Sequence, residues 1–283
     1  MNGILLVDKP EDWTSNDVVQ KLRGVLHERR VGHAGTLDPM ATGLLTVFVG
    51  RATRAVEFAE QDRKRYLAGL RLGLVTDTQD ITGRVLEERE VSITRDRLER
   101  VLQEFQGDIS QIPPMYSAVR VQGKRLYKLA REGKTVERAA RNITVYGLDL
   151  LSCENNELLL DVRCSKGTYV RTLCHDIGKA LGCGGCLSSL RRTEAGVFNV
   201  SQAYTLEKII AGEYRLLPTD TLFLQYPALI LREDEVRRVR NGGAFHAEAG
   251  DGNYRLYDPS GQFLALGLSE NENIKTVKSF FEV

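Results

Sequence analysis

The chain has 283 residues, long for one domain and comfortable for two, and its 42% hydrophobic and 27% charged residues are those of an ordinary water-soluble globular protein. No apolar run approaches the ~20 residues that a membrane helix needs, and the start MNGILLVDKP lacks the basic-then-apolar plan of a secretory signal. The net charge of +1 conceals local clusters: eight Lys or Arg against two Glu over residues 120–141, and smaller ones at 29–30, 63–65, 191–192 and 237–240.

In chain order, residues 4–7 read as a short strand, and Thr14 or Ser15 can cap a helix whose apolar positions are Val18, Leu22 and Val25. A glycine-rich loop, VGHAGTLDPMATGLL, runs into a strand at 44–49. Alternation of Tyr66, Ala68, Leu70, Leu72 and Leu74 predicts a half-buried strand. Leu98, Val101, Leu102 and Phe105 fall at i, i+3, i+4 and i+7 and predict an amphipathic helix, closed off by Pro113-Pro114. Leu126, Leu129 and Ala130 suit a short helix carrying the basic cluster. Residues 143–151 and 158–164 flank ENNE as a hairpin would, and Val170, Leu173, Cys174, Ile177 and Leu181 form a further helical stripe. Irregular alternation with hairpins indicates α+β around a mixed, mainly antiparallel sheet flanked by helices. The boundary falls within LLPTDTLFLQYP, giving 1–224 as the main domain and 225–283 as a small β-rich module.

Each basic cluster alone reads as a solvated face; together they fit a surface for an anionic ligand, with nucleic acid ahead of phosphorylated small molecules. There is no P-loop, no dinucleotide fingerprint and no zinc-type pairing of Cys and His. Cys183 and Cys186 form a lone CxxC, read as structural, and the five scattered cysteines argue for reduced thiols in a cytoplasm. The four histidines share no ligand spacing. Asp38, before a proline, reads on its own as a turn former. Its bare neighbours Gly32, Ala34, Gly35, Ala41 and Gly43 would also let a ligand approach it closely. Tyr66 reads as a core or edge tyrosine, and Arg171 by default as solvated. If Arg171 met Asp38 it would hold the carboxylate ionised and oriented.

Six stretches, in order, resemble the bacterial tRNA pseudouridine synthases of the TruB type. They are ILLVDKP with Thr14-Ser15, GHAGTLDPMATGLL, Lys64-Arg65-Tyr66, GLVTDTQDITG with Gly73, Thr76, Thr78, Asp80 and Gly83, QIPPMYSAVRVQGKRLYKLAREG, and CSKGTYVRTLCHDIGKALG followed by LRRT. The resemblance covers residues 3 to about 200. Asp12 stands where glycine is common after the Lys-Pro, and Gly185-Cys186 where alanine is common. The C-terminal part looks like the PUA-like RNA-binding module of the family.

The resemblance implies the pseudouridine synthase fold and the isomerisation of uridine to pseudouridine at position 55 in the tRNA T loop. It implies no metal and no organic cofactor, since nothing is oxidised or imported. Asp38 would be the essential carboxylate, as nucleophile or as base, and Arg171 would pair with it and keep its pKa low. Tyr66 would stack on the uracil near its C5 proton and Leu190 would pack against the base. Lys9 would brace the loop, and His33 would occupy the space left by a flipped base. Tyr169, Lys64, Arg125 and Arg131 would contact RNA. The partner would be the T arm of tRNA, met by a cytoplasmic monomer needing neither membrane nor protein partner. Two other readings remain at this level: an RNA-guided synthase, told apart by activity of the chain alone on a bare stem-loop, and a tRNA-folding factor, told apart by an inactive Asp38 variant that still rescues folding.

Overall fold

The computed structural model describes residues 1–60, 63–121 and 123–281. Its frame is a ten-stranded sheet. Across it run Tyr204–Thr205, Gly3–Lys9, Thr42–Val49, Gly185–Ala195, Lys64–Leu72, Glu157–Cys164, Arg141–Glu154 and Gly107–Gln111. Val31–Ala34 pairs with Thr42–Val49, and Phe198–Asn199 with Gly185–Ala195. Gly3–Lys9 runs parallel to Tyr204–Thr205, and Gly185–Ala195 runs parallel to Thr42–Val49; the other pairings of this sheet are antiparallel. The expected mixed, mainly antiparallel sheet is thus present.

Helices cover the sheet where the apolar stripes said they would. Ser15–Val25 starts at a capping box in which the Thr14 hydroxyl accepts from the Asp17 N–H and the Asp17 carboxylate accepts from the Thr14 N–H, both at 3.0 Å. Its Val18 and Leu22 pack on Leu5, Val7 and Val47. Arg95–Glu104 and Val170–Leu181 cover the other half through Leu98, Leu102, Leu173 and Ile177. Gly178 lets the second of these dock directly on Gly185–Ala195, because a Cβ there would sit 2.3 Å from the backbone nitrogen of Gly185. The ENNE hairpin turns on Asn155 and Asn156, both at positive φ, as a two-residue reversal requires.

Two expectations change. The strand expected to reach Leu74 ends at Leu72, because Gly73 turns the chain at φ +85°; Leu74–Thr76 then opens a separate hairpin with Val85–Glu88. Its burial is also not a clean alternation, since Ala68, Gly69 and Leu70 are covered on both faces. Among the strands that went unread are Gly107–Gln111, too polar to show a period, and Gly185–Ala195, whose serines and arginines hide a central position.

Beyond residue 224 lies a five-stranded sheet of Ala228–Ile230, Gly252–Tyr257, Phe263–Glu270, Asn273–Ser279 and Phe245–His246, with the helix Glu233–Arg240. It has its own apolar cluster around Val236, Leu256, Leu264 and Ile274. It also shares a seam with the large sheet: the Phe223 ring lies 5.3 Å from that of Phe58, 6.1 Å from Phe263 and 5.8 Å from Phe280. Ile4, Leu44 and Phe48 belong to that same seam. No helix among the described residues is long and apolar enough to cross a membrane.

Candidate active site

Asp38 sits in the loop between Val31–Ala34 and Thr42–Val49, and that loop is tied down from below. The Ser15 hydroxyl donates to the Leu37 carbonyl at 3.1 Å and accepts from the Leu37 N–H at 2.9 Å. Lys9 is fully buried, and its ammonium donates to the carbonyls of Pro10 at 2.7 Å, Trp13 at 2.6 Å and Pro39 at 3.1 Å. Three carbonyls match the three N–H donors of an ammonium, while burial, only partly offset by the charges of Asp38, Asp12 and Glu11, lowers the Lys9 pKa to about 8. The Asp12 N–H donates to the same Pro39 carbonyl at 2.9 Å, from a backbone at φ 64°. That left-handed conformation is one that glycine adopts without strain.

The carboxylate meets Arg171, the second residue of the helix Val170–Leu181. Arg171 Nε lies 2.9 Å from Asp38 Oδ2 and Nη2 lies 3.4 Å from Oδ1. Nη1 reaches Asp80 Oδ2 at 3.3 Å and the Thr78 carbonyl at 3.2 Å, and Nη2 also donates to the Tyr116 carbonyl at 2.8 Å. Each guanidinium nitrogen therefore has at least one oxygen partner. Asp80 is held in turn by the hydroxyls of Thr78 at 2.8 Å and Thr82 at 2.6 Å and by the Thr82 N–H at 3.1 Å. Arg171 thus joins three loops, and it is buried, not solvated as its sequence neighbours suggested.

The electrostatics differ from expectation. The Arg171 charge does oppose protonation of Asp38, but the larger influence is burial, and the carboxyl is held above its ordinary pKa; Asp80 pushes the same way. The side chain keeps 37% of its surface accessible, so it is walled by protein yet open on one side. Nearby, burial and then the Arg192 charge hold His33 below its ordinary value, so its imidazole is neutral at neutral pH; Nδ1 is buried without a hydrogen-bond partner.

Tyr66 and Leu190 share one apolar cluster with Leu37, the residue before Asp38, and Met40, two residues after it. Lys64 lies beneath the surface, donating to the Glu60 carbonyl at 2.9 Å and passing close to Gly35. Tyr169 precedes the Arg171 helix, its backbone clamped by Gln111 at 2.8 and 3.1 Å. Arg125 and Arg131 stay outside this group, exposed on and beside the helix Leu126–Arg131, where both face Tyr127. That arm is anchored next to the recess: the Tyr127 N–H donates to the carbonyl of Ser117, the neighbour of Tyr116.

In two basic pairs expected on a surface face one member is internal, Lys64 and Arg192, while the other forms ion pairs at the surface. Arg65 bonds Asp161 and Glu194, and Arg191 bonds Asp8 at 2.7 Å. Arg192 is 1% exposed. Three parts of the site escaped sequence reasoning. Asp80 lay within a quoted motif but carried no assigned role; its signal was two threonines within two residues of it. Arg192 was hidden by being read as half of a basic pair. The Tyr116 carbonyl is backbone, on which sequence is silent.

A model of the TruB family pseudouridylate synthase (N terminal domain) matches residues 23–170. The tRNA pseudouridylate synthase B C-terminal domain matches 171–223, and the C terminal part of tRNA pseudouridine synthase II matches 226–281. The class that these matches define together with the recess is the pseudouridine synthase, an isomerase. Relatives named tRNA pseudouridine synthase B include one from Clostridium kluyveri, 42% identical over 99% of this chain and 100% of its own, and one from Azoarcus sp., 44% identical over 94% and 91%. The chain belongs to the TruB family. Its fold is also that of a chain in the crystal structure of a Cbf5-Nop10-Gar1 complex, with TM-score 0.73, 26% identity, and coverage of 99% of this chain and 85% of the other. The structure of an H/ACA RNP bound to a substrate RNA containing 2'-deoxyuridine gives TM-score 0.74 at 24% identity, with the same coverage.

Proposed function

We propose that this chain converts uridine to pseudouridine at position 55 in the T loop of tRNA, with Asp38 as the essential carboxylate. The observation that carries the reading is the carboxylate itself: gripped at 2.9 and 3.4 Å by a buried arginine, yet itself 37% exposed, in a loop whose Leu37 and Met40 belong to the same apolar cluster as Tyr66 and Leu190. Pseudouridine formation breaks the bond between C1′ and N1, turns the uracil and joins C5 to C1′. N1 gains a proton and C5 loses one. Asp38, as nucleophile at C1′ or as base, acts at the bond that breaks. Tyr66 faces the detached base near C5, and Leu190 gives that base an apolar wall.

The target uridine is stacked in the folded T arm and must be flipped out, at a cost of a few kcal/mol. His33, neutral and on the strand that enters the Asp38 loop, fills the gap. Lys9 and Lys64 brace the floor, and Tyr169, Arg125 and Arg131 contact the RNA around it. The exposed arm supplies affinity through phosphate contacts. Residues 225–283 act as a PUA-like RNA-binding unit through the exposed Arg237, Arg238 and Arg240. Because Phe223 packs on Phe263 and Phe280, this role is tested by replacing those arginines rather than by cutting the chain.

The chain acts alone as a cytoplasmic monomer. Identity of 42–44% along nearly the whole chain to proteins named tRNA pseudouridine synthase B, against 24–26% to the ribonucleoprotein components, favours unguided action. The test is the pure chain on a bare, pre-folded T-arm stem-loop in excess EDTA. Pseudouridine should form at the single loop uridine. A requirement for guide RNA, protein partner or a specific metal would reject the reading.

A further inference from the structure

Arg192 is among the largest fully buried side chains of the protein, and among the described residues no carboxylate lies within ion-pair distance of it. A buried cation without a counter-charge is costly, so its surroundings have to account for it. Two acceptors are backbone: Nε donates to the Leu44 carbonyl at 2.6 Å and Nη2 to the Gly35 carbonyl at 3.0 Å. The backbone is fixed as tightly. Arg192 lies opposite Gly43 on one side, where a Cβ would fall 2.3 Å from the Arg192 carbonyl oxygen, and opposite Tyr66 on the other. Directly opposed residues of an antiparallel pair point to the same face, so the Arg192 and Tyr66 side chains are cross-strand neighbours.

We propose that Arg192 is a positioning residue for the proton-accepting role of Tyr66, fixing the phenol oxygen in the recess and balancing the charge of the phenolate. The proposal rests on the reading that Tyr66 faces C5 of the detached base. The step balances within the isomerisation. Tyr66 gives up its hydroxyl proton, which passes through solvent to N1 of the freed uracil. Once C5 is bonded to C1′, the phenolate oxygen takes the C5 proton, and the C–H electron pair returns to the ring. The enzyme ends as the phenol, N1 has gained a proton and C5 has lost one.

The groups facing Tyr66 decide whether this charge is tolerable. The phenol stands above its ordinary pKa: burial pushes it up most, the Arg192 guanidinium opposes that, and Cys164 and Asp38 add to the rise. Around Arg192 itself stand His33, held neutral, and Lys9, whose ammonium is held by carbonyls. Among the described residues, Arg192 is thus the cation directly opposite Tyr66 on the neighbouring strand. Its bond to the Gly35 carbonyl also ties Arg192 to the Asp38 loop, so one guanidinium stands between the Tyr66 strand and the loop that carries Asp38.

The test measures single-turnover conversion of a T-arm stem-loop carrying either uridine or 5-deuterouridine, using wild type, Arg192→Gln, Arg192→Lys and Tyr66→Phe. A cooperative melt and RNA affinity within a few-fold of wild type establish folding. Arg192→Gln should slow conversion about 100-fold and raise the C5 deuterium isotope effect, as proton removal becomes limiting; Arg192→Lys should recover part of both. A folded Arg192→Gln with wild-type rate and isotope effect overturns the proposal, as does a slower variant with an unchanged isotope effect. If the Gln variant does not fold, Arg192→Lys decides on the same two readouts. Tyr66→Phe separates the two levels: a near-wild-type rate there removes the Tyr66 reading itself, whereas an inactive Tyr66→Phe beside an unaffected Arg192→Gln removes only the part given to Arg192.

Discussion

The recess and the basic arm treat charge in opposite ways. In the recess the charges are buried or walled in and each is matched to named atoms, Arg171 to Asp38, Asp80 and two carbonyls, Lys9 to three carbonyls. On the arm, Arg120, Lys124, Arg125, Lys128 and Arg131 stand in water, with a tyrosine as the neighbour of two of them. Matched buried charge fixes geometry, and a wrong geometry costs rate. Exposed unmatched charge fixes nothing but attracts phosphate, and its loss costs affinity. The two regions meet within one residue, since Tyr116 gives its carbonyl to Arg171 and Ser117 gives its own to the arm helix.

If that contrast holds, the largest effect follows from emptying the recess of its cation. Arg171→Ala leaves Asp80 buried and unpaired, so it should destabilise the fold by about 3–5 kcal/mol and abolish measurable turnover; a chemical melt and a single-turnover assay check the two separately. Arg171→Lys keeps a charge but loses the planar fork whose three nitrogens reach Asp38, Asp80 and two carbonyls, and cannot grip both Asp38 oxygens. The carboxylate should then drift by a fraction of an ångström to an ångström, with a rate loss on the order of 10²-fold and RNA affinity unchanged.

Next comes pH. Asp38 must be ionised to act, and burial holds its pKa above the ordinary carboxylate value. The single-turnover rate should therefore fall on acidification at a higher pH than a free aspartate would titrate. Weakening the cation moves that limb higher still, so Arg171→Lys should shift it upward and never downward. The stability sign is the reverse of that for a salt-bridged carboxylate. A raised folded pKa means that the contribution of Asp38 is present at low pH and is lost as pH rises through that pKa.

The smallest effect on rate belongs to the arm. Replacing Arg125, Lys128 and Arg131 together by Ala should leave the saturating rate within about two-fold, while the slope of log affinity against log salt becomes shallower by roughly 2 to 3. A large fall in saturating rate would erase the distinction between the regions.

How far the sequence carried can be judged residue by residue. The helices were legible because Val18-Leu22 and Leu98-Val101-Leu102 repeat at helical spacing and Thr14 announces a start. The Asp38 loop was legible through its glycines. Gly185–Ala195 was not, because a strand covered on both faces and carrying Leu190 and Arg192 inward shows no alternation. Nor was the network around Arg171. Its partners lie 133, 91, 93 and 55 residues away, two of them backbone carbonyls, and only the fold assembles them. Reading Lys64-Arg65 and Arg191-Arg192 as surface charge failed for the same reason: adjacent residues of a strand point to opposite faces, and here one member of each pair faces inward.

The most direct test of the central claim maps pseudouridine across a complete unmodified tRNA after incubation with saturating pure protein, wild type beside Asp38→Asn. The Asn variant keeps the shape and removes the negative charge, and it should retain a cooperative melt and RNA affinity within a few-fold. Wild type should convert uridine 55 and no other uridine, and Asp38→Asn should convert none. Conversion of uridine 55 by Asp38→Asn at close to the wild-type rate, or a wild-type product at another position, would contradict the account.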